Sequence, residues 1–231
     1  MFIFIKSYLR IMSNEWMQLF FESKIPFYIY KLYKGDALIF KFYAKCKPLI
    51  IVFYGTVYIM KVFTNGESIF LAILTSNSII DFGFNSCDSN YIYYKVVALE
   101  NTYFIKFCWL DYINNFQYLS TVIKLLDLFR YTLHQYENSS YILSHKSTRY
   151  RVIQLLLFLC REFGILNNNY IIIPFELSQK TISYITGSNP ITVNKIIRYL
   201  VNRLFIQYVV HKRILICYSS FFSYLQDNKV T

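Results

Sequence analysis

Residues 186–200 read TGSNPITVNKIIRYL, and the proline near their middle decides how the last third of the chain folds. Inside a helix, proline costs about 3 kcal/mol, because it lacks an N–H and its ring meets the preceding turn. At the first helical position that N–H has no intrahelical partner anyway, and the fixed φ suits the helix. Asn189, immediately before it, is a strong N-cap. Pro190 therefore starts a helix and does not break one. Val193, Ile196, Ile197, Leu200 and Leu204 form its expected buried stripe. Thr192, Asn194, Lys195, Arg198, Tyr199, Asn202 and Arg203 are left outside that stripe.

Working upstream, Ser178 can cap a short helix, QKTISYI, that stops before Gly187. Two helices joined by a short turn containing Gly, the second with a polar and basic face, make a helix-turn-helix. Ser178, Gln179 and Lys180 open the first helix, where they serve either as a plain cap or as phosphate contacts. Ser188, Thr192, Asn194, Lys195 and Arg198 are the candidates for the DNA side of the second. Downstream, FIQYVV and RILICY flank His211, Lys212 and Arg213, a hairpin with a basic tip. A basic hairpin after such a helix is a wing, with Lys212 placed for phosphate and His211 either ordinary turn surface or a second phosphate contact. Before the motif, RVIQLLLFLCREFG reads as a helix from Arg151 to Gly164, NNN at 167–169 as a turn, and YIIIPF as a strand closed by Pro174.

Charge points the same way. The chain has 231 residues and a formal net charge of +11. Residues 145–231 hold 11 Lys/Arg against 3 Asp/Glu, whereas residues 1–144 hold 13 against 10. The surplus is concentrated where the helix-turn-helix lies, which implies an anionic partner for that part, nucleic acid first.

The front of the chain has a different period. FYIYK, ALIFKF, LIIVFY, TVYIMKVF, ESIFLAIL, YIYYKVVAL and TYFIKF are β-branched and aromatic runs between 27 and 108. Gly35, Gly55 and Asn65-Gly66 punctuate them as turns, and many short strands of this kind make an antiparallel roll, sandwich or barrel. In TVYIMKVF, alternation puts Val57, Ile59, Lys61 and Phe63 on one face and Tyr58, Met60 and Val62 on the other. From 111 to about 140 the period becomes helical. Leu119, Val122, Leu126, Phe129, Leu133 and Tyr136 fall at spacings of 3, 4, 3, 4 and 3, an a/d seam. Such a stripe either lies on the chain's own β domain or joins two copies; its narrowness favours a parallel homodimer. The expected organisation is α+β: a β domain over 1–110, a dimerisation helix over 111–143 and a winged helix-turn-helix over 144–231.

Other chemistry finds little support. Five cysteines at 46, 87, 108, 160 and 217 form no C-x-x-C, and the three histidines lie far apart, so no metal site is expected. Cys160 reads as packed core, and Tyr91, Tyr93 and Tyr94 as sheet packing. No phosphate loop, carboxylate pair or nucleophile–base pattern appears, and no enzyme is expected. No apolar run reaches the roughly 18 residues of a membrane span. The opening MFIFIKSYLRIM is short for a signal peptide, and Met12 is a second candidate start.

RVIQLLLFLCREFG, FELSQKTISYITGSNPITVNKIIRYL and FIQYVVHKRILI together resemble the C-terminal half of the cyclic-AMP receptor/FNR family, nearest its cyanobacterial nitrogen-regulator branch and the plastid-encoded relatives of that branch. The match rests on Leu177-Ser178, Ile182, Gly187-Ser188, Thr192-Val193, Lys195 and Ile197. YKGDALIF, YGTVYIMKVFTNGESIFLAIL and YYKVVAL resemble the family's β-roll, and the 119–136 seam its dimer helix. The resemblance implies a β-roll of cyclic-nucleotide-binding type, double-stranded DNA, a second copy of the chain and RNA polymerase as partners, and a plastid stroma location. It also implies departures. The family's first base-reading arginine falls on Pro190 and its second on Lys195, which lacks the planar fork of a guanidinium. The roll arginine that holds the effector falls on Ile92 and the helix arginine on Thr132, while Glu137 matches the helix glutamate. Phe82-Gly83, Lys95 and Arg130 stand near the remaining effector positions. On these residues cyclic nucleotide is disfavoured and 2-oxoglutarate stays open. The expected function is a regulator with a degenerate effector pocket; the alternative is an effectorless structural dimer that no longer reads specific DNA.

Overall fold

The structure, a computed structural model, describes residues 20, 25–40, 48–81, 92–114, 119–209, 213–217, 221 and 223. The chain divides into two compact units, Met1–Asn65 with Ile73–Gln135, and Gly66–Ala72 with Tyr136–Thr231.

Between residues 27 and 108 the chain is antiparallel β-structure, which belongs to the first unit apart from residues 68–72. Strands β1 (Phe27–Leu32), β2 (Ala37–Phe40), β3 (Pro48–Tyr54), β4 (Val57–Phe63), β5 (Ser68–Leu74), β6 (Ser78–Ile80), β7 (Ile92–Ala98) and β8 (Thr102–Cys108) form two sheets, ordered β1-β8-β3-β6 and β2-β7-β4-β5. The expected runs all carry strands, and β6, too short to read as a run, completes the first sheet. Tyr93 and Tyr94 are half-buried on β7, whereas Tyr91 lies outside the described residues. Strand β4 departs from simple alternation. Val57, Tyr58, Ile59, Met60 and Val62 are all buried, so both of its faces are covered over most of its length. A core cluster of Phe20, Ile25, Leu49, Ile51, Phe53, Ile79, Ile105, Phe107 and Tyr112 also takes in Leu125 and Leu128.

The helical stretch of 111–140 is two elements: α1 (Trp109–Asn114) and α2 (Leu119–Ser144), the latter 26 residues long. Helix α2 has two stripes of the same spacing. Leu125, Leu128, Thr132, Gln135, Ser139 and Ile142 are buried. On the other stripe, Leu126 and Leu133 stand 54% and 67% exposed. Val122, Phe129 and Tyr136 are half-buried, and the side chain of Leu119 lies outside the described residues.

The second unit continues with α3 (Thr148–Phe163), β9 (Ile165–Asn167), β10 (Tyr170–Glu176), α4 (Gln179–Ile185), α5 (Pro190–Asn202), β11 (Ile206–Val209) and β12 (Arg213–Cys217). The four strands make one sheet, ordered β11-β12-β10-β9. Helix α3 starts at Thr148 and not at Arg151, because Ser147 caps it by accepting from the Arg149 N–H. It ends at Gly164, whose φ of −62° is not left-handed. Glycine is needed there for room: a Cβ would run into the Cys160 carbonyl and come within 2.5 Å of Ile171 Cγ2. Pro174 does not close its strand. β10 runs on to Glu176, and its register with β12 shifts between Ile172 and Glu176, the kind of irregularity that accommodates a residue without an N–H.

Candidate nucleic-acid interface

Helices α4 and α5 are set by capping and by the turn between them. Ser178 Oγ accepts from the Thr181 N–H at 3.0 Å and lies 2.8 Å from Thr181 Oγ1, so its oxygen is already engaged as a cap. Gln179 is half-buried and Lys180 exposed. The turn is tight. Thr186 donates through both its N–H and its Oγ1 to the Ile182 carbonyl, and Ser188 N–H donates to the Ser183 carbonyl. Gly187 sits between them at φ +55°, the left-handed region that residues with a Cβ rarely enter. Arg151, which sequence reasoning did not single out, braces this turn. Its Nε donates to the His145 carbonyl at 2.7 Å and its Nη1 to the Thr186 carbonyl at 3.2 Å.

Asn189 Oδ1 accepts from the Ile191 N–H at 2.8 Å, and Pro190 holds the first helical position, as the sequence implies. Val193, Ile197 and Leu200 are the buried stripe of α5, with Ile196 only half-buried. Leu204 does not extend the stripe. It lies past the helix end at φ +59° and is 64% exposed, since the chain has turned toward β11 before it. Thr192, Lys195 and Arg198 are exposed, Ser188 and Asn194 half-buried. Asn194 Oδ1 is a buried acceptor without a partner among the described residues.

Two features of this face escaped sequence reasoning. Ile191, 67% exposed, shares the helical face of Lys195 and Arg198 by its i, i+4, i+7 spacing. An exposed aliphatic side chain there can meet a thymine methyl. Tyr199 is flanked by two guanidinium groups, Arg149 at 5.1 Å and Arg203 at 5.9 Å from the ring centroid. The Tyr199–Arg203 spacing of four was visible in sequence, whereas Arg149 reaches the site from α3. β11 and β12 pair antiparallel as the wing requires, but His211 and Lys212 lie outside the described residues.

Phe82 and Gly83 lie outside the described residues. Lys95 is half-buried on β7, paired with Met60 and Ile39 on the neighbouring strands. Arg130 is exposed. Thr132 Oγ1 donates to the Leu128 carbonyl at 2.7 Å and accepts from the Ile79 N–H at 2.8 Å, so its hydroxyl is spent on the fold. Gln135, one turn on, is buried with its Oε1 unpartnered among the described residues. Glu137 is exposed and accepts from Tyr141 Oη at 3.1 Å. No three His, Cys, Asp or Glu side chains among the described residues come together as a metal site. No described helix is long and apolar enough to cross a membrane.

A capped helix pair, a left-handed glycine turn, an exposed cationic second helix and a following hairpin define a winged helix-turn-helix. No family model matches the chain. It is 31% identical over 209 residues to the HTH-type transcriptional regulator ycf28 of Porphyra purpurea, covering 88% of this chain and 86% of that protein. It is 27% identical over 195 residues to the global nitrogen regulator of Synechococcus elongatus, covering 80% and 85%. Among solved structures, a CRP-family regulator from Thermus thermophilus shares the fold with a TM-score of 0.65 at 13% identity, covering 84% of this chain and 95% of that one. The chain belongs to the cyclic-AMP receptor/FNR family of DNA-binding transcription regulators. Both relatives carry the names of regulators, not of enzymes.

Proposed function

We propose that this regulator acts as a homodimer that reads an inverted repeat, with helix α5 of each subunit in the major groove of successive half-sites. The observation that carries the reading is the exposed face of α5, where Ile191, Thr192, Lys195 and Arg198 project from a helix pinned at its start by Asn189 and Pro190. Half-sites would lie about one helical turn apart, matching the two-fold axis of the dimer. The exposed Leu126 and Leu133, with Val122, Phe129 and Tyr136 beside them, supply the seam for the second subunit.

Pro190 offers no hydrogen-bond donor where the family's first base-reading arginine falls, so Lys195 and Arg198 carry base recognition, with less discrimination per half-site. The Thr132 hydroxyl, engaged with Ile79 and Leu128, supports a weakened effector pocket. On this reading cyclic nucleotide does not bind, and 2-oxoglutarate, if it acts, does so through Glu137, Lys95 or Arg130. Action in a plastid with RNA polymerase as partner is consistent with the Porphyra relative, in the nitrogen-regulator branch of the family.

Selection of bound duplexes from a random pool, followed by salt titration, tests the proposal. Enrichment of an inverted repeat with a steep salt dependence is the expected result. Equal affinity for all sequences would replace it with the effectorless structural dimer. Calorimetry with 2-oxoglutarate at millimolar concentration tests the effector separately.

A further inference from the structure

We infer that helix α3 adds a contact to the DNA backbone from outside the helix-turn-helix: Arg149 in its first turn and Arg203 at the end of α5 are held by Tyr199 as a clamp for phosphates beside the bases that α5 reads. The clamp rests on the DNA reading above and deepens it. Arg149 Cζ lies over the Tyr199 ring at 5.1 Å from the centroid, and Arg203 Cζ at 5.9 Å. Two guanidinium groups from separate helices are thus gathered on one ring, no farther apart than those two distances together. All three residues are exposed. The start of α3 also lies against the turn that leads into α5, since Ser188 Oγ donates to Thr148 Oγ1 at 3.5 Å. Along α5, Tyr199 follows Lys195 by four residues and Thr192 by seven, so it flanks the exposed face already assigned to DNA.

The arrangement calls for an anion. The first turn of α3 holds no acidic residue and carries Arg149 instead, although the helix dipole favours negative charge there and disfavours a cation. A phosphate beside that turn would answer both the guanidinium and the helix N-terminus. Two like charges brought to one ring also repel, and an anion shared between them relieves the repulsion. Of the acidic residues in this unit, Glu162 is bonded to Arg161 at 2.8 Å, and Glu176 lies opposite Arg213 in the β10–β12 register. A guanidinium presents paired N–H groups that match phosphate oxygens, and stacking on the ring limits the freedom it loses on binding. With both guanidinium groups over it, the Tyr199 ring is a poor surface for a base to stack on, which favours the backbone of a duplex over the bases of a single strand. Such a contact positions the protein and reads no sequence.

The test is a salt titration of the full chain against a short mixed-sequence duplex, because binding to arbitrary sequence is almost wholly electrostatic. Arg149→Ala should lower the salt slope by about 1 per subunit, as Arg203→Ala should. Arg149→Gln, which keeps the aliphatic stem, serves if Arg149→Ala does not fold. Tyr199→Leu retains both charges, so it should keep the slope while weakening binding about two- to fivefold per subunit, the loss expected of an exposed cation–π contact. Arg161→Ala removes the same charge from the far end of α3 and should leave the slope at the parent value. An unchanged slope in Arg149→Ala, an equal fall in Arg161→Ala, undiminished binding by Tyr199→Leu, or tighter binding of the parent to the separated single strand would overturn the clamp. A parent chain that ignores the duplex altogether would remove the DNA reading with it, and so the two failures are told apart.

Discussion

The two faces of helix α2 carry the same 3, 4, 3, 4, 3 spacing and have opposite fates. Leu125, Leu128, Thr132, Gln135, Ser139 and Ile142 are buried within the subunit. Leu126 and Leu133, on the more apolar stripe, are left open. A subunit that covers its more polar face and exposes its more apolar one has a reason to do so if the apolar face is kept for a second copy. Periodicity identifies a stripe but cannot tell which neighbour covers it. The buried stripe escaped notice because Thr132, Gln135 and Ser139 interrupt its hydrophobicity; the Thr132 hydroxyl is satisfied by Ile79 and Leu128, whereas Gln135 Oε1 has no partner among the described residues.

The sharpest way to break this comparison is to charge the open stripe. Leu126→Glu with Leu133→Glu should leave the subunit folded but monomeric, with duplex affinity reduced about 10²- to 10⁴-fold through the loss of two-site binding. Sedimentation and gel-shift titration check it, and a dimer that survives both charges would assign the seam elsewhere. The buried stripe should respond oppositely. Leu128→Ala should cost about 2–5 kcal/mol of stability, measured by denaturant unfolding, with the oligomeric state unchanged among folded molecules. Thr132→Val should cost about 1–3 kcal/mol, because it leaves the Ile79 N–H without its acceptor.

On α5, Lys195→Ala should lose about 1–3 kcal/mol of discrimination at one base pair per half-site. Arg203→Ala should weaken all duplexes alike and lower the salt slope by about 1 per subunit, as a backbone contact would. Competition binding against single-base operator variants separates the two. The smallest effect concerns Cys160, whose thiol burial moves from an ordinary 9.0 to about 12. A thiol with a raised pKa in the folded state contributes stability below pH 9 that is lost as pH rises toward 12. The melting temperature of the parent relative to Cys160→Ala should therefore fall across that window.

The helix-turn-helix was legible because its determinants are local. Asn189 and Pro190 start α5, Ser178 caps α4, and Gly187 supplies the left-handed turn, each acting through bonds within a few residues of itself. The β-structured unit was legible as a class from its β-branched and aromatic runs, though not as two sheets of stated order. What long-range packing decides was not legible. Leu204 fits the periodic stripe of α5, but the chain leaves the helix first. Pro174 reads as a strand end, yet the sheet absorbs it as a register shift.

The sequence alone determined the turn between α4 and α5 and where both helices start, because capping, proline φ and glycine freedom are properties of short stretches. Only the tertiary structure decided which face of α2 is covered, that Arg151 braces the turn before α5, and that Arg149 reaches Tyr199 from α3. Each of these depends on groups far apart in the chain, whose approach is set by packing and not by spacing.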